Sequence, residues 1–260
     1  MITCSGDSAV QHAFGQCPTE GAGQFPPVDC GGGGFGGGGG GRGGGSRGGT
    51  CWADLEVVDP DPLNAAQEAY LTDYITAFND AIHESPLGEY GAYIDVASFV
   101  DTLILNELVR NGDAYTRSVY FYKERNQKIV AGPLWDFNLT LASGGTTFCN
   151  NNPVGWAYEF RRGSNDWFQR LIGDPAFADQ VRTRWRALRS GVLSQTNLEA
   201  LIATIAAPLT NAVVRDYERW PVCDVADGIF TVPKGDTWDA QLQVMRDFLR
   251  ARAAWIDTQW

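Results

Sequence analysis

Between Asn106 and Gly145 an apolar helical stretch, a loop containing Asp113, two short strand-like runs and the segment Gly132-Pro133-Leu134-Trp135-Asp136-Phe137-Asn138 follow one another almost without padding. So little intervening chain restricts how these pieces can be arranged. Asp95 is placed to cap a helix in which Phe99, Val100, Leu103, Ile104, Leu105 and Leu108 cover more than one face, so the helix is expected to be buried. From Ser118 to Glu124, Val119 and Phe121 alternate with Tyr120 and Tyr122; Arg125-Asn126-Gln127 then turns the chain into Lys128–Ala131. Alternation with β-branched and aromatic content reads as a hairpin. One carboxylate loop precedes it and one follows.

Two acidic loop residues at the ends of a hairpin suit phosphoryl transfer, in which one acid orients or deprotonates a hydroxyl and another holds a divalent cation on the phosphates. Asp113, after Asn111-Gly112, is the candidate for the first role, although Asn-Gly-Asp is also ordinary turn chemistry. Asp136, between Trp135 and Phe137, is the candidate metal-holding carboxylate, as the aspartate of Asp-Phe-Gly is in protein kinases. Asn138 offers a carbonyl oxygen to the same ion; for both residues the plain alternative is an Asx turn. Mg²⁺ suits such a set, since it uses one or two carboxylates plus phosphate oxygens. Asn111 and Ser118 are possible supporting groups or turn caps. Glu107, near the end of an apolar helix, is costly to bury alone and is expected to meet an arginine or a backbone donor.

A chain of 260 residues with 44% hydrophobic content can bury a sizeable core. Its net charge of −11 opposes binding to nucleic acid and to anionic membranes, both of which reward clustered Lys and Arg. No stretch reads as the roughly 20 apolar residues of a membrane span, and the opening Met1-Ile2-Thr3-Cys4 lacks the pattern of a secretory signal. The cysteines at 4, 17, 30, 51, 149 and 223 contain no Cys-x-x-Cys pair, which removes zinc-ribbon and thioredoxin-like readings. Paired as disulfides they would imply an oxidising, extracellular or cell-surface setting; unpaired, they are buried thiols. Serine-hydrolase, zinc-protease and dinucleotide fingerprints are missing.

Residues 1–29 read as a Cys-containing appendage or insertion, and residues 30–50, almost all glycine, as a disordered linker; no Gly-Lys-Ser or Gly-Lys-Thr follows them to make a phosphate loop. Residues 51–260 form the main unit. There, helices are expected from Asn64 to about Glu84, over Asp166–Ile172, from Asp174-Pro175 to Leu188, from Ser194 to Ile205, over Leu209–Arg219, and from Asp236 or Thr237 onward. Trp156, Tyr158 and Phe160 suggest a short strand, and Trp135, Trp156, Trp167, Trp185, Trp220, Trp238 and Trp255, most of them at helical spacing, suggest core packing rather than a sugar platform. Arg182, Arg184, Arg186 and Arg189 spread around a helix and read as a solvated face.

Asn106-Glu107-Leu108, Asn111-Gly112-Asp113-Ala114-Tyr115, Ser118-Val119-Tyr120-Phe121-Tyr122-Lys123 and Gly132-Pro133-Leu134-Trp135-Asp136-Phe137-Asn138 together resemble the core of the CotH family of spore-coat and secreted kinase-like proteins. A weaker likeness runs from Trp52 to the C-terminus through Gly155-Trp156-Ala157-Tyr158, Asp174-Pro175-Ala176-Phe177, Arg219-Trp220-Pro221 and Trp255-Ile256-Asp257. The resemblance implies an α+β, mainly helical fold: the C-terminal lobe of an atypical protein kinase, with the β-hairpin beside the active site. It also implies ATP and Mg²⁺ as cofactors and Ser/Thr hydroxyls of secreted or coat proteins as acceptors. Many relatives have Asp-Phe-Asp where this chain has Asp136-Phe137-Asn138, so one negative charge is lost here. Met1–Thr50 shows no counterpart of the family's glycine-containing nucleotide cover and phosphate-binding lysine, so the chain reads as the second half of the domain. A non-catalytic coat or surface scaffold is the competing expectation.

Overall fold

The computed structural model describes residues 55, 57–84, 86–111, 114–115, 118–143, 152–159, 166–220 and 237–260. The appendage, the glycine-rich stretch, all six cysteines and Asp113 lie outside the described residues. Helix α1 spans Ala65–His83 and starts at Asn64, whose side chain accepts from Ala66 and Gln67 N–H while the Gln67 side chain answers the Asn64 N–H. That reciprocal cap fixes the helix start. Ile75, Phe78 and Ile82 fall on one face and are buried.

Helix α2, Val96–Val109, begins at the Asp95 cap and ends at Arg110 in a left-handed conformation. It is the buried axis of the molecule, packing against strand β2 (Ile129–Leu134), helix α4 (Pro175–Arg189) and helix α7 (Trp238–Gln259). Strand β1, Val119–Lys123, pairs antiparallel with β2. An isolated two-stranded hairpin is marginal in water, so its ties to the body matter. Asp95 N–H donates to Ile129 O at 2.8 Å, Ile129 N–H to Tyr93 O at 2.8 Å, and Ala131 N–H to Ser98 Oγ at 3.0 Å. From the inner face Phe121 stacks on Phe99 with centroids 5.6 Å apart and meets Trp167 edge-on at 5.4 Å. Phe78 and Phe168 close this aromatic core.

Helix α3, Trp167–Gly173, leads into α4, where Asp174 caps the start and also accepts the Tyr90 hydroxyl at 2.8 Å. Among the described residues the architecture is therefore mainly helical with one two-stranded antiparallel sheet, an α+β arrangement. Three expectations need correction. Ala157–Glu159 is a 3-10 turn, not a strand, because its backbone N–H groups are taken by a buried side chain instead of a ladder. Trp135 and Trp220 are 58% and 65% exposed, whereas Trp167 and Trp185 are buried as expected.

The third correction concerns helices α5, Gln195–Ala206, and α6, Thr210–Arg219. Pro208 turns Ala207–Leu209 into a 3-10 link without ending the helical run, so the apolar α5 and the amphipathic α6 join into one rod. Gln195–Arg219 is long and apolar enough, by length and composition, to cross a membrane, and 6% of its apolar window is buried. Glu199 ties the rod to α7 through Arg246 and Arg250. The arginines of α4 do not form one cationic surface: Arg182 pairs with Asp179, Arg184 with Asp101 and Arg189 with Asp257, while Arg186 donates to Trp260 O.

Asp166, 3% exposed, joins α1 to α3 through His83 Nε2 at 3.3 Å and Arg170 Nε at 2.5 Å. Burial alone would raise its carboxyl, but the hydrogen bonds and charges of His83 and Arg170 outweigh burial and hold it below its ordinary value. A carboxyl lowered on folding stabilises the fold above its unfolded value, about 4, and that contribution disappears as pH falls through the lower folded value. Urea melts of wild type and Asp166→Asn are expected to show the wild type losing its advantage below about pH 4. An advantage that persists undiminished in acid contradicts this.

Candidate functional site

The C-terminal end of α2 organises everything around the hairpin. Glu107 and Arg252 of α7 are both 0% exposed and meet at 2.9 Å. Glu107 also accepts the N–H groups of Ala157 at 2.8 Å and Tyr158 at 2.9 Å and the Tyr115 hydroxyl at 3.1 Å. Burial pushes the Glu107 carboxyl up, while Arg252 and the other donors pull it down. Four donors and no acceptor surround it, an environment that only the charged form satisfies. The Tyr115 hydroxyl, buried beside that carboxylate, is raised well above its usual range.

Arg252 reaches further. Its Nε donates to Glu107 O at 2.8 Å, and its Nη1 donates to Pro153 O at 2.9 Å and Gly155 O at 2.5 Å. Arg110 donates to the neighbouring carbonyls of Asn152 and Val154, so two guanidinium groups hold one short backbone segment. Burial, and then the charge of Arg252, lowers the Arg110 guanidinium to about 10. Gly155 has φ +85 in this segment, and an added Cβ would lie 3.4 Å from Arg110 Nη2, so a side chain there is disfavoured on both counts.

The two hairpin flanks hang from the same helix end. Asn111 is buried; its N–H donates to Asn106 O at 2.9 Å and its side-chain amide to Asn106 Oδ1 at 3.0 Å. Beyond the hairpin, Leu141 N–H donates to Val109 O at 2.9 Å. Among the described residues, every non-glycine with positive φ falls between Arg110 and Ala142: Arg110, Tyr115, Ser118, Asn126, Asp136, Leu141 and Ala142. Left-handed backbone costs an L-residue about 1–2 kcal/mol, and such strain concentrates where function demands a particular geometry. Asn126 is explained by the hairpin turn; the others flank it.

Asp136 is exposed, has φ 58°, and precedes the 3-10 turn Phe137–Leu139 without a side-chain capping bond. The Asx-turn alternative is therefore not the use made of its carboxylate, which accepts the Ser118 hydroxyl at 3.2 Å across the base of the hairpin. Asn138 is exposed beside it, its backbone carbonyl accepting from Ser143 Oγ at 2.6 Å. Ser118 and Asp136 are thus brought together, and Asn111 and Glu107 are held inside. Among the described residues no cluster of three or more His, Cys, Asp or Glu can hold a metal. The oxygen donors of Asp136 and Asn138 nevertheless match the few protein ligands that Mg²⁺ takes when phosphates supply the rest.

A groove of about 1360 Å³ opens between β1 and the first half of α1, with Phe121, Trp167 and Phe168 at its core side. Leu55, Tyr70, Ser118, Tyr120, Lys123 and Trp135 are among its walls. Tyr120 and Trp135 meet edge-on at 6.1 Å, and Lys123 Nζ lies 2.8 Å from Tyr70 OH and 4.2 Å from the Tyr74 ring centroid. Ser118 places one end of the groove beside Asp136.

The sequence from residue 52 to 256 matches the family described as CotH kinase protein. This chain belongs to the CotH kinase family. No curated protein and no solved structure gives a match. Within this CotH chain, the residues that sequence reasoning missed are Arg252, Arg110 and Tyr115. Arg252 carried a signal: it interrupts the apolar stripe Phe248, Leu249, Ala253 and Ile256 of α7.

Removing one partner of a buried ion pair strands the other charge. Glu107→Ala is therefore expected to destabilise the CotH unit by about 3–5 kcal/mol in denaturant unfolding, well beyond an exposed-site change such as Glu68→Ala. Equal losses at the two positions would show that the buried carboxylate is dispensable.

Proposed function

We propose that this protein transfers the γ-phosphoryl group of ATP to Ser or Thr hydroxyls of secreted or coat proteins, using Mg²⁺. Family membership supports kinase-like chemistry, and the observation that carries the reading is the groove whose wall residue Ser118 is hydrogen-bonded to the exposed carboxylate of Asp136. Its volume exceeds what a nucleotide-sized ligand needs, and its aromatic walls offer apolar contact to a planar base. With the base among Tyr70, Tyr120 and Trp135, the polyphosphate runs toward Ser118 and Asp136.

Asp136 and Asn138 would hold the metal, which when bound neutralises negative charge on the phosphates. The Ser118 hydroxyl keeps the Asp136 carboxylate oriented. Asp113, assigned from its place in the sequence, accepts the proton of the acceptor hydroxyl as the new oxygen–phosphorus bond forms. The bond from the γ-phosphorus to the bridging oxygen breaks, and ADP leaves with the electron pair. The loss of a second carboxylate at Asn138 weakens metal binding relative to Asp-Phe-Asp and so raises the Mg²⁺ requirement.

The test is ³²P transfer from labelled ATP to a Ser-rich protein by the full-length gene product. Asp136→Ala is expected to reduce incorporation by about 10²-fold or more at low Mg²⁺, with part of the loss recovered as Mg²⁺ is raised. Equal incorporation by wild type and variant removes Asp136 from the mechanism. Calorimetry on the same preparation separates the competing scaffold role: a folded protein that gives no heat with Mg-ATP is a scaffold.

A further inference from the structure

The Arg252–Glu107 pair has a job that the kinase reading above does not assign, and the inference rests on that reading. Three observations converge. First, the strained left-handed residues Arg110, Tyr115, Asp136, Leu141 and Ala142 all lie within the two flanks of the hairpin. Conformations of that kind persist only where the surroundings over-determine them. Second, both flanks are fastened to the last turn of α2, one through Asn111 on Asn106 and Tyr115 on Glu107, the other through Leu141 on Val109. Third, that last turn is itself fastened from behind by Arg252, whose fork grips the carbonyl and the carboxylate of Glu107 together with the carbonyls of Pro153 and Gly155.

Ordinary core packing does not ask for this arrangement. A buried ion pair is often no more stabilising than apolar residues of equal volume, so its retention points to geometry rather than to stability. The planar guanidinium bonds in fixed directions, which makes it suited to setting the position of several acceptors at once. Tyr115 carries the setting outward: its ring packs on Phe168 at 4.9 Å while its hydroxyl reaches Glu107 Oε1.

We infer that Arg252, acting through Glu107 and Tyr115, is a positioning residue for phosphoryl transfer: helix α7 holds the α2 end from which both flanks of the hairpin, and so Asp136, take their orientation. Arg252 touches neither nucleotide nor acceptor. It affects how well the reacting groups are aligned more than how tightly ATP is held, so its loss falls more on kcat than on KM.

Arg252→Ala risks unfolding, so the test uses two milder variants of the full-length protein. Tyr115→Phe removes one hydroxyl and keeps the ring; Arg252→Lys keeps the charge and loses the fork. Both are expected to lower kcat by about tenfold or more with a smaller change in KM for ATP, since small misplacements near reacting atoms have large effects. Amide hydrogen exchange followed by mass spectrometry is expected to quicken over residues 114–115 and 137–143 while α4 stays protected. Wild-type kcat in both variants, or exchange that quickens equally in α4, overturns the inference. Should the wild type transfer no phosphate at all, the kinase reading fails, and the exchange pattern alone decides whether α7 positions the flanks.

Discussion

A carboxylate and a guanidinium removed entirely from water, Glu107 and Arg252, are the contact on which the rest of this molecule turns. Taking two ions out of water costs several kcal/mol each, and their attraction offsets that only when the remaining donors and acceptors are also satisfied. Here they are. Glu107 is surrounded by a guanidinium N–H, two backbone N–H groups and a phenol, and Arg252 spends its other N–H groups on carbonyls of α2 and of the 153–155 segment. The faces of Trp255 and Trp156 lie 4.7 and 5.6 Å from its guanidinium carbon. Four separate pieces of chain thereby meet at one charge pair.

From that point the structure becomes progressively more exposed and more strained toward the groove. Asn106 and Asn111 are buried and bonded to each other; Tyr115 is half-buried; Asp136 is in solvent. A rigid interior supporting an exposed polar group is what precise chemistry requires, because a side chain on an unsupported loop cannot be held to a fraction of an ångström. The hairpin contributes from the other side. Phe121 fixes it on Phe99 and Trp167 and also lines the groove, together with Tyr120 of β1 and Trp135 just beyond β2.

Local rules made much of this legible. Asn64, Asp95, Asp174, Ser194 and Thr237 all cap helices, because a short polar side chain before an apolar periodic run has few better uses. The hairpin was readable from its alternation, and the need of Glu107 for a partner from its burial. Its choice of partner was not: Arg252 lies 145 residues away, and no local pattern distinguishes it from the other arginines except its place in an apolar stripe. The 3-10 turn at Ala157–Glu159 was misread as a strand for the same reason, since its conformation answers to that distant carboxylate. The α5–α6 rod is not legible locally, because Pro208 lies between its two helical patterns, yet a proline near a helix start is tolerated. Asp136 was recognisable as a candidate from its neighbours; the groove beside it depends on how α1 packs, which sequence periodicity does not report.

The proposed site for a metal-nucleotide complex lies between the hairpin and α1, with the phosphates at Asp136. Mn²⁺ broadens NMR signals of nearby nuclei, and the indole N–H of Trp135, on the groove wall and 58% exposed, is a single well-placed reporter. Adding Mn-ATP is expected to broaden the Trp135 indole signal selectively and to leave the buried Trp185 signal sharp. A Trp135 signal that stays sharp while Mn-ATP binds would place the nucleotide elsewhere and contradict the account.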